Sequence, residues 1–278
     1  MIDLCREAGE ANRTARYRRG NVVHLPAEGQ VILTGDLHGH RRNFERIIAY
    51  ADLARRPDRH VVLHEILHGG PEDGRGGCLS FELFAQVLEY QLAFPGRVHL
   101  VMGNHDTAII TDSDVMKAGK EMNRAMKEAL RRRFDEDYDE VRDALREVLL
   151  SQALAVRCPN GIWFSHSLPA CRTLEHFDTG IFERPLTVDD CVRPGSAYLL
   201  TWGRRQSPQT LETLAQQWGV ELFVVGHQPQ ESGWARVEPN MLILASEHTH
   251  GMLLPVDLDR RYTLDDLTER LVPLASIA

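Results

Sequence analysis

The sequence has no apolar run of membrane-spanning length, no cysteine pair at metal or redox spacing, no basic excess and no internal repeat. A bilayer-spanning helix needs about 18 consecutive apolar residues, so the pattern offers no membrane segment. The opening stretch, MIDLCREAGEANRTARYRRG, is too charged to supply the apolar core of a signal peptide, and a cytoplasmic location is expected. Cys5, Cys78, Cys158, Cys171 and Cys191 are odd in number and scattered. That argues for reduced thiols and against both a disulfide framework and a cysteine zinc site. A net charge of −8 argues against a general nucleic-acid binder, which ordinarily carries a basic surface. It leaves phosphate substrates open, because bound divalent cations can reverse a local field.

What is present is a chain of 278 residues, 43% hydrophobic and 26% charged, which is ordinary for a soluble globular protein. It is expected to form a single domain over 1–278, without an interdomain linker. Segments of strand and helix character alternate, which predicts a layered α/β fold. Strands are expected at 30–34, 60–63, 98–102, 161–165, 221–225 and 241–245. Helices are expected at 42–53, 80–92 and 264–272, the last opened by Thr263 with Asp266 three residues on. The charge-rich stretch 113–154 reads as a helical insertion of two amphipathic helices around residues 133–136, forming a solvated cap.

Polar residues of one chemical kind fall where the apolar strands end. Gly35-Asp36-Leu37-His38-Gly39 follows the first strand, Glu65 the second, and Gly103-Asn104-His105-Asp106 the third. His166 ends Trp163-Phe164-Ser165-His166-Ser167, and His227 ends Val225-Gly226-His227-Gln228-Pro229. In open α/β sheets ligands gather outside the carboxyl ends of the strands, so residues distant in sequence are expected to meet there. One Asp-x-His means little, but five such clusters in this order point to a metal site. Oxygen and imidazole donors without thiolates suit manganese, iron or zinc.

The blocks GDLHGH, GNHD, FSHS and VVGHQP resemble, in this order, those of calcineurin-like metallophosphatases. The likeness is greatest to the phosphoprotein phosphatase branch and its bacterial relatives, which include diadenosine tetraphosphate hydrolases. Leu199-Leu200-Thr201-Trp202-Gly203-Arg204 is similar to that branch's Leu-Leu-Trp-x-Arg segment. The resemblance runs from about residue 31 to residue 250. It implies a metallophosphatase-type sandwich of two mixed β-sheets flanked by helices, holding two divalent metal ions, manganese before iron or zinc. By resemblance Asp36 and His38 hold the first ion, Asn104, His166 and His227 hold the second, and Glu65 bridges them. His105, next to Asn104, is the expected general acid, with Asp106 a candidate to orient it, and Arg204 is the candidate for a bidentate clamp on the phosphate.

The sequence departs from the family in one block. Where relatives read Gly-Asp-x-Val-Asp-Arg-Gly, this chain reads His64-Glu65-Ile66-Leu67-His68-Gly69-Gly70. Glu65 is the carboxylate in register. His68 stands where an aspartate would orient the catalytic histidine, and Gly69 where a phosphate-binding arginine is expected. Arg75 is a replacement cation, His68 a residue beside the site or a ligand, and His40 and His250 outer or substrate-contact candidates. The expected activity is metal-dependent hydrolysis of phosphoesters, on phosphoserine or phosphothreonine in proteins or on small phosphomonoesters. Nucleotide polyphosphate hydrolysis, phosphodiester hydrolysis and a metal-binding protein with reduced or lost catalysis are the alternatives.

Overall fold

Each long strand divides its side chains between two cores, as a strand buried on both faces must. Val31 and Leu33 enter one cluster and Ile32 the other; Leu222 and Val224 oppose Phe223 and Val225 in the same way. The computed structural model describes residues 1–117 and 119–278. In it, a five-stranded sheet runs in the order Val272–Pro273, Met252–Asp257, Gln30–Thr34, Arg59–His64, Val98–Val101. A seven-stranded sheet runs Arg18–Arg19, Val22–His24, Ala155–Arg157, Ile162–Ser165, Leu222–Val225, Met241–Leu244, Trp234–Val237. The inner cluster, with Val31, Val62, Phe164, Val224 and Leu244, fills the space between the sheets. The outer residues pack under helices.

Two parallel sets of strands position the site. Gln30–Thr34, Arg59–His64 and Val98–Val101 are mutually parallel neighbours, with Leu33 beside Val62 and His64 beside Val101. Ile162–Ser165, Leu222–Val225 and Met241–Leu244 are parallel in the other sheet. A parallel bridge from Asp36 to Ala245 joins the sheets at the carboxyl ends of these strands. Ser246 adds a backbone N–H to the Asp36 carbonyl and a hydroxyl that accepts from the Gly35 N–H.

The stretch expected as a solvated cap is the helices Met122–Phe134 and Tyr138–Leu150, joined by a 3-10 turn at Asp135–Asp137. Their apolar faces are not solvated: Met126, Leu130, Val141, Leu145 and Val148 are buried in the outer cluster. The second helix packs on the N-terminal helix Ile2–Arg13, which the charged opening sequence concealed. There Asn12 donates to Ser151 Oγ at 2.9 Å and accepts from Gln91 at 2.6 Å. The last helix is shorter than expected, Leu264–Glu269, because Val272–Pro273 pairs with Met252–Asp257 as a strand. Thr263 and Asp266 cap it reciprocally. No helix among the described residues is long and apolar enough to cross a membrane.

At the far end of the strands from Asp36, His60 and His99 lie face to face. Their rings stack at 5.3 Å, with His60 Nδ1 3.1 Å from His99 Nε2. Burial, helped by Arg97, pushes His60 down to about 4. Burial, helped by His60, pushes His99 down to about 3. Both values are depressed, so the pair's stabilisation is complete above the ordinary imidazole range and is lost as pH falls through the folded values. Each neutral imidazole steepens that loss by about 1.4 kcal/mol per pH unit between roughly 6 and 4. Denaturant unfolding at pH 7, 5.5 and 4.5 should show a shallower decline for His60→Leu/His99→Phe than for the parent. Equal slopes would contradict the assignment.

Candidate metal centre

All six side chains expected as ligands meet at the carboxyl ends of the strands. Asp36 Oδ2 lies 3.5 Å from His38 Nε2, and Asp36 Oδ1 accepts the His227 N–H at 2.8 Å. Glu65 Oε2 lies 3.4 Å from His166 Nε2 and faces the His105 N–H at 3.3 Å. Asn104 Oδ1 is 2.8 Å from His166 Nε2 and 2.9 Å from His227 Nδ1, and those two nitrogens are 3.1 Å apart. Donor atoms about 2.1 Å from one cation and at right angles to each other stand about 3.0 Å apart. The Asn104, His166 and His227 atoms are spaced for that arrangement. Glu65 reaches both halves of the site, because its carboxylate also groups with His38 and His105 at ligand-like distances.

The backbone is bent to bring them there. His38, Glu65, His68 and His227 all have positive φ, between 43° and 67°. Such conformations cost about 1–3 kcal/mol each outside glycine and collect at functional sites. At Glu65 the reason is visible. Consecutive strand residues face opposite sides, and the turn at Glu65 lets it and His64 both point into the site. The Glu65 carbonyl accepts from the N–H groups of Leu37 and His38, and Ile66 from Gly39, so the two strand-end loops hold each other. Close approach also explains two motif glycines. A Cβ at position 103 would collide with the Glu65 carboxylate, and one at 226 with Asp36 Oδ1 and the His64 ring.

His64 is the residue the sequence reading missed. It is fully buried at the position where the family has glycine. Its Nε2–H donates to the Thr34 carbonyl at 3.0 Å, which leaves Nδ1 as an acceptor 2.9 Å from His166 Nδ1. His166 then carries its proton on Nδ1 and turns a bare Nε2 toward Asn104 and His227. Partners of this kind fix the tautomer and direction of a ligating imidazole. Asp36, His64 and His166 also form a metal-sized group. The His64–His166 hydrogen bond occupies the lone pair that His64 would need, which favours the supporting role. The signal was there to be read: a histidine at the end of an apolar strand, directly before the register carboxylate.

The protonation states suit cation binding. Burial pushes His166 well down and His64 down, against the pull of Asp36. Burial, with Arg204 adding, takes His227 to about 3. Neutral imidazoles have the lone pairs a metal requires. Burial opposes ionisation of Asp36, but His166, His38 and His64 hold its carboxyl well below the usual range. His38 donates Nδ1–H to the carbonyls of Leu67 and His68, at 3.3 and 3.1 Å, leaving Nε2 free to face Asp36.

The remaining candidates fall into two groups. His105 is buried with its ring 5.3 Å from His38 and 4.4 Å from His68. His68 therefore meets it as a ring in place of a carboxylate. Asp106 accepts the Gly103 N–H at 2.9 Å and fixes the turn into the helix Asn104–Ile110; burial pushes its carboxyl up to about 7. Arg204 is lowered by burial and sits in the field of Asp36. The others belong to neither metal-sized group among the described residues. His40 caps the helix Arg41–Ala51 through Nδ1, His250 is exposed with its N–H on His248, and Arg75 is exposed on a loop pinned by Asp73.

Replacing His64 with Phe should lower affinity for manganese about 10–100-fold in calorimetric titration. Unchanged affinity with an unchanged fold would remove His64 from the support of His166.

A family model described as calcineurin-like phosphoesterase matches residues 29–231. A probable serine/threonine-protein phosphatase of Encephalitozoon cuniculi is 36% identical over 90 residues, 32% of this chain. That match spans only 18% of the relative's length. A Saccharomyces cerevisiae serine/threonine phosphatase with similarity to human phosphatase PP5 shares the fold with a TM-score of 0.72 at 11% identity, over 99% of this chain and 92% of that one. A cold-active protein-tyrosine phosphatase of a psychrophilic Shewanella superposes with a TM-score of 0.54 at 16% identity, over 90% and 80%. At these identities the solved structures establish the fold, and the family match covers well over half of the chain. The chain belongs to the calcineurin-like phosphoesterase family.

Proposed function

We propose that the protein hydrolyses phosphomonoesters, phosphoserine and phosphothreonine among them, with Asp36, His38, Glu65, Asn104, His166 and His227 holding two divalent cations. The carrying observation is the convergence of two carboxylates, one amide oxygen and three imidazoles, all buried except the half-buried His38, with His105 beside them. Manganese, or alternatively iron or zinc, held there would acidify a water and neutralise charge on the phosphate oxygens.

The chain's own groups supply the rest. Glu65 holds its carboxylate between the two halves of the site, and the His105 N–H steadies it. Asp106 fixes the turn that carries Asn104 and His105, so donor and proton source move as one unit. His105 gives its proton to the leaving oxygen, a contribution of about 10²–10⁴ in rate for a positioned acid. His68 packs against that ring and limits its rotation. Arg204 offers a planar, permanently charged fork for two phosphate oxygens. The similarity to a probable serine/threonine-protein phosphatase supports a phosphoprotein substrate.

Turnover of p-nitrophenyl phosphate exceeding that of bis-p-nitrophenyl phosphate is expected with manganese, and diester preference would overturn the monoesterase reading. His105→Ala should lower kcat at least about 100-fold while metal content by mass spectrometry stays at the parent level. Retained kcat would exclude His105 as the acid. Glu65→Gln should deplete bound metal, and unchanged stoichiometry would exclude the bridge.

A further inference from the structure

A cavity of about 580 Å³ opens beside the metal centre and is lined by Arg172, Arg193, Arg204 and Arg205, with Tyr198 and Trp202. That size is in the range of small-ligand sites. No carboxylate lines it, in a chain whose net charge is −8. Among the described residues none of the four guanidinium groups forms an ion pair, whereas arginines elsewhere are commonly bound to acids, Arg132 to Asp73 and Arg184 to Asp190 among them. The contrast with another cleft of about 590 Å³ is direct: there Arg56, Arg59 and Arg260 share the walls with Asp58, Asp257 and Asp259. Cations left unneutralised and facing one space raise the local concentration of anions.

The fold assembles this charge from three places. Arg172 lies in the 3-10 turn Cys171–His176, Arg193 follows the turn Val188–Cys191, and Arg204 and Arg205 follow the helix Ser196–Trp202. Adjacent residues in extended backbone would point apart; φ of 59° at Arg205 breaks that alternation, and both side chains line the cavity. The wall is tied to the metal centre. Trp202 donates Nε1–H to Thr107 Oγ1 at 3.0 Å, and Thr107 donates to the Asn104 carbonyl at 2.7 Å. The Trp202 ring is 6.4 Å from that of His227, and Tyr198 stacks on Trp202 at 5.4 Å. Ser167, next to His166, donates to the Gly203 carbonyl. Arg172 and Arg193 share the cavity with Trp202 and Arg204, which stand on that wall.

We infer that the substrate carries a second anionic group, a phosphate or a carboxylate, beyond the scissile phosphate, and that Arg172 and Arg193 bind it in this cavity. This deepens the phosphomonoesterase reading and rests on it. With Arg204 assigned to the reacting phosphate under that reading, one phosphate alone leaves the outer arginines without a partner.

The test compares three synthetic heptapeptides: one phosphoserine among alanines, the same peptide with a second phosphoserine two residues on, and the same with glutamate there. The doubly phosphorylated peptide should exceed the singly phosphorylated one about tenfold or more in kcat/KM, carried by KM. A gain confined to that peptide identifies the group as phosphate, and a gain shared with the glutamate peptide identifies any anion. Arg172→Gln/Arg193→Gln should erase the gain and leave kcat on p-nitrophenyl phosphate unchanged. Equal kcat/KM on all three peptides, with p-nitrophenyl phosphate still hydrolysed, overturns the inference alone. Absence of all turnover overturns the proposed function, and the cavity is then judged by binding. Cys171 lines it and is exposed, while the other four cysteines are buried. Inorganic tripolyphosphate should slow alkylation of Cys171 by iodoacetamide more than orthophosphate does, and the double variant should lose that protection. No protection in the parent protein overturns the inference.

Discussion

Lone pairs crowd together where the two sheets meet. Asn104 Oδ1, His166 Nε2 and His227 Nδ1 lie within 3.1 Å of one another in a buried space, with the Glu65 carboxylate 3.4 Å from His166. Polar groups taken from water need partners, and a buried acceptor left without one costs about 1–3 kcal/mol. Three acceptor-capable atoms can share few protons, so an arrangement of this kind is stable when something positive sits among them. The left-handed backbone at His38, Glu65 and His227 and the glycines at 103 and 226 all serve that crowding. The sandwich supplies the stiffness: its inner and outer cores fix six parallel strands whose ends can be aimed at one point.

The departure at positions 64–69 replaces one kind of support with another. A carboxylate and an arginine expected near the site are absent, and two buried imidazoles are present. His64 fills the space beneath His166 and passes its hydrogen bond to the Thr34 carbonyl. His68 packs on His105 and gives its own carbonyl to His38. Position 69 carries no cation, and the arginines of the described cavity stand around Trp202. Within the proposed mechanism the reacting phosphate is gripped from the Trp202 side more than from the Glu65 side.

The strands expected at 30–34, 60–63, 98–102, 161–165, 221–225 and 241–245 were legible because each is a short apolar run followed by a glycine or a polar residue, a pattern that two-sided burial imposes; Met252–Asp257, as long as any strand, was not foreseen. The ligand set was legible for the same reason: Asp36, Asn104 and His227 follow the glycine that ends such a run, and Glu65 and His166 stand one polar residue beyond one, after His64 and Ser165. The edge strands Arg18–Arg19 and Trp234–Val237 were not, since an edge pair of two to four residues carries too little periodicity to separate from a loop. The helix Ile2–Arg13 buries small and polar residues, Ala8, Gly9 and Asn12, and so lacked an apolar stripe. His64 was hidden by strand alternation, which puts neighbours on opposite faces unless the backbone turns left-handed, as it does at Glu65. Arg172 and Arg193 lie in turns whose approach to Arg204 depends wholly on tertiary packing.

Anomalous diffraction from crystals grown with manganese tests the central claim most directly. Two peaks are predicted, one bounded by Asp36, His38 and Glu65 and the other by Glu65, Asn104, His166 and His227. Density with no ordered cation there, and the same side chains bonded only to one another, would contradict it.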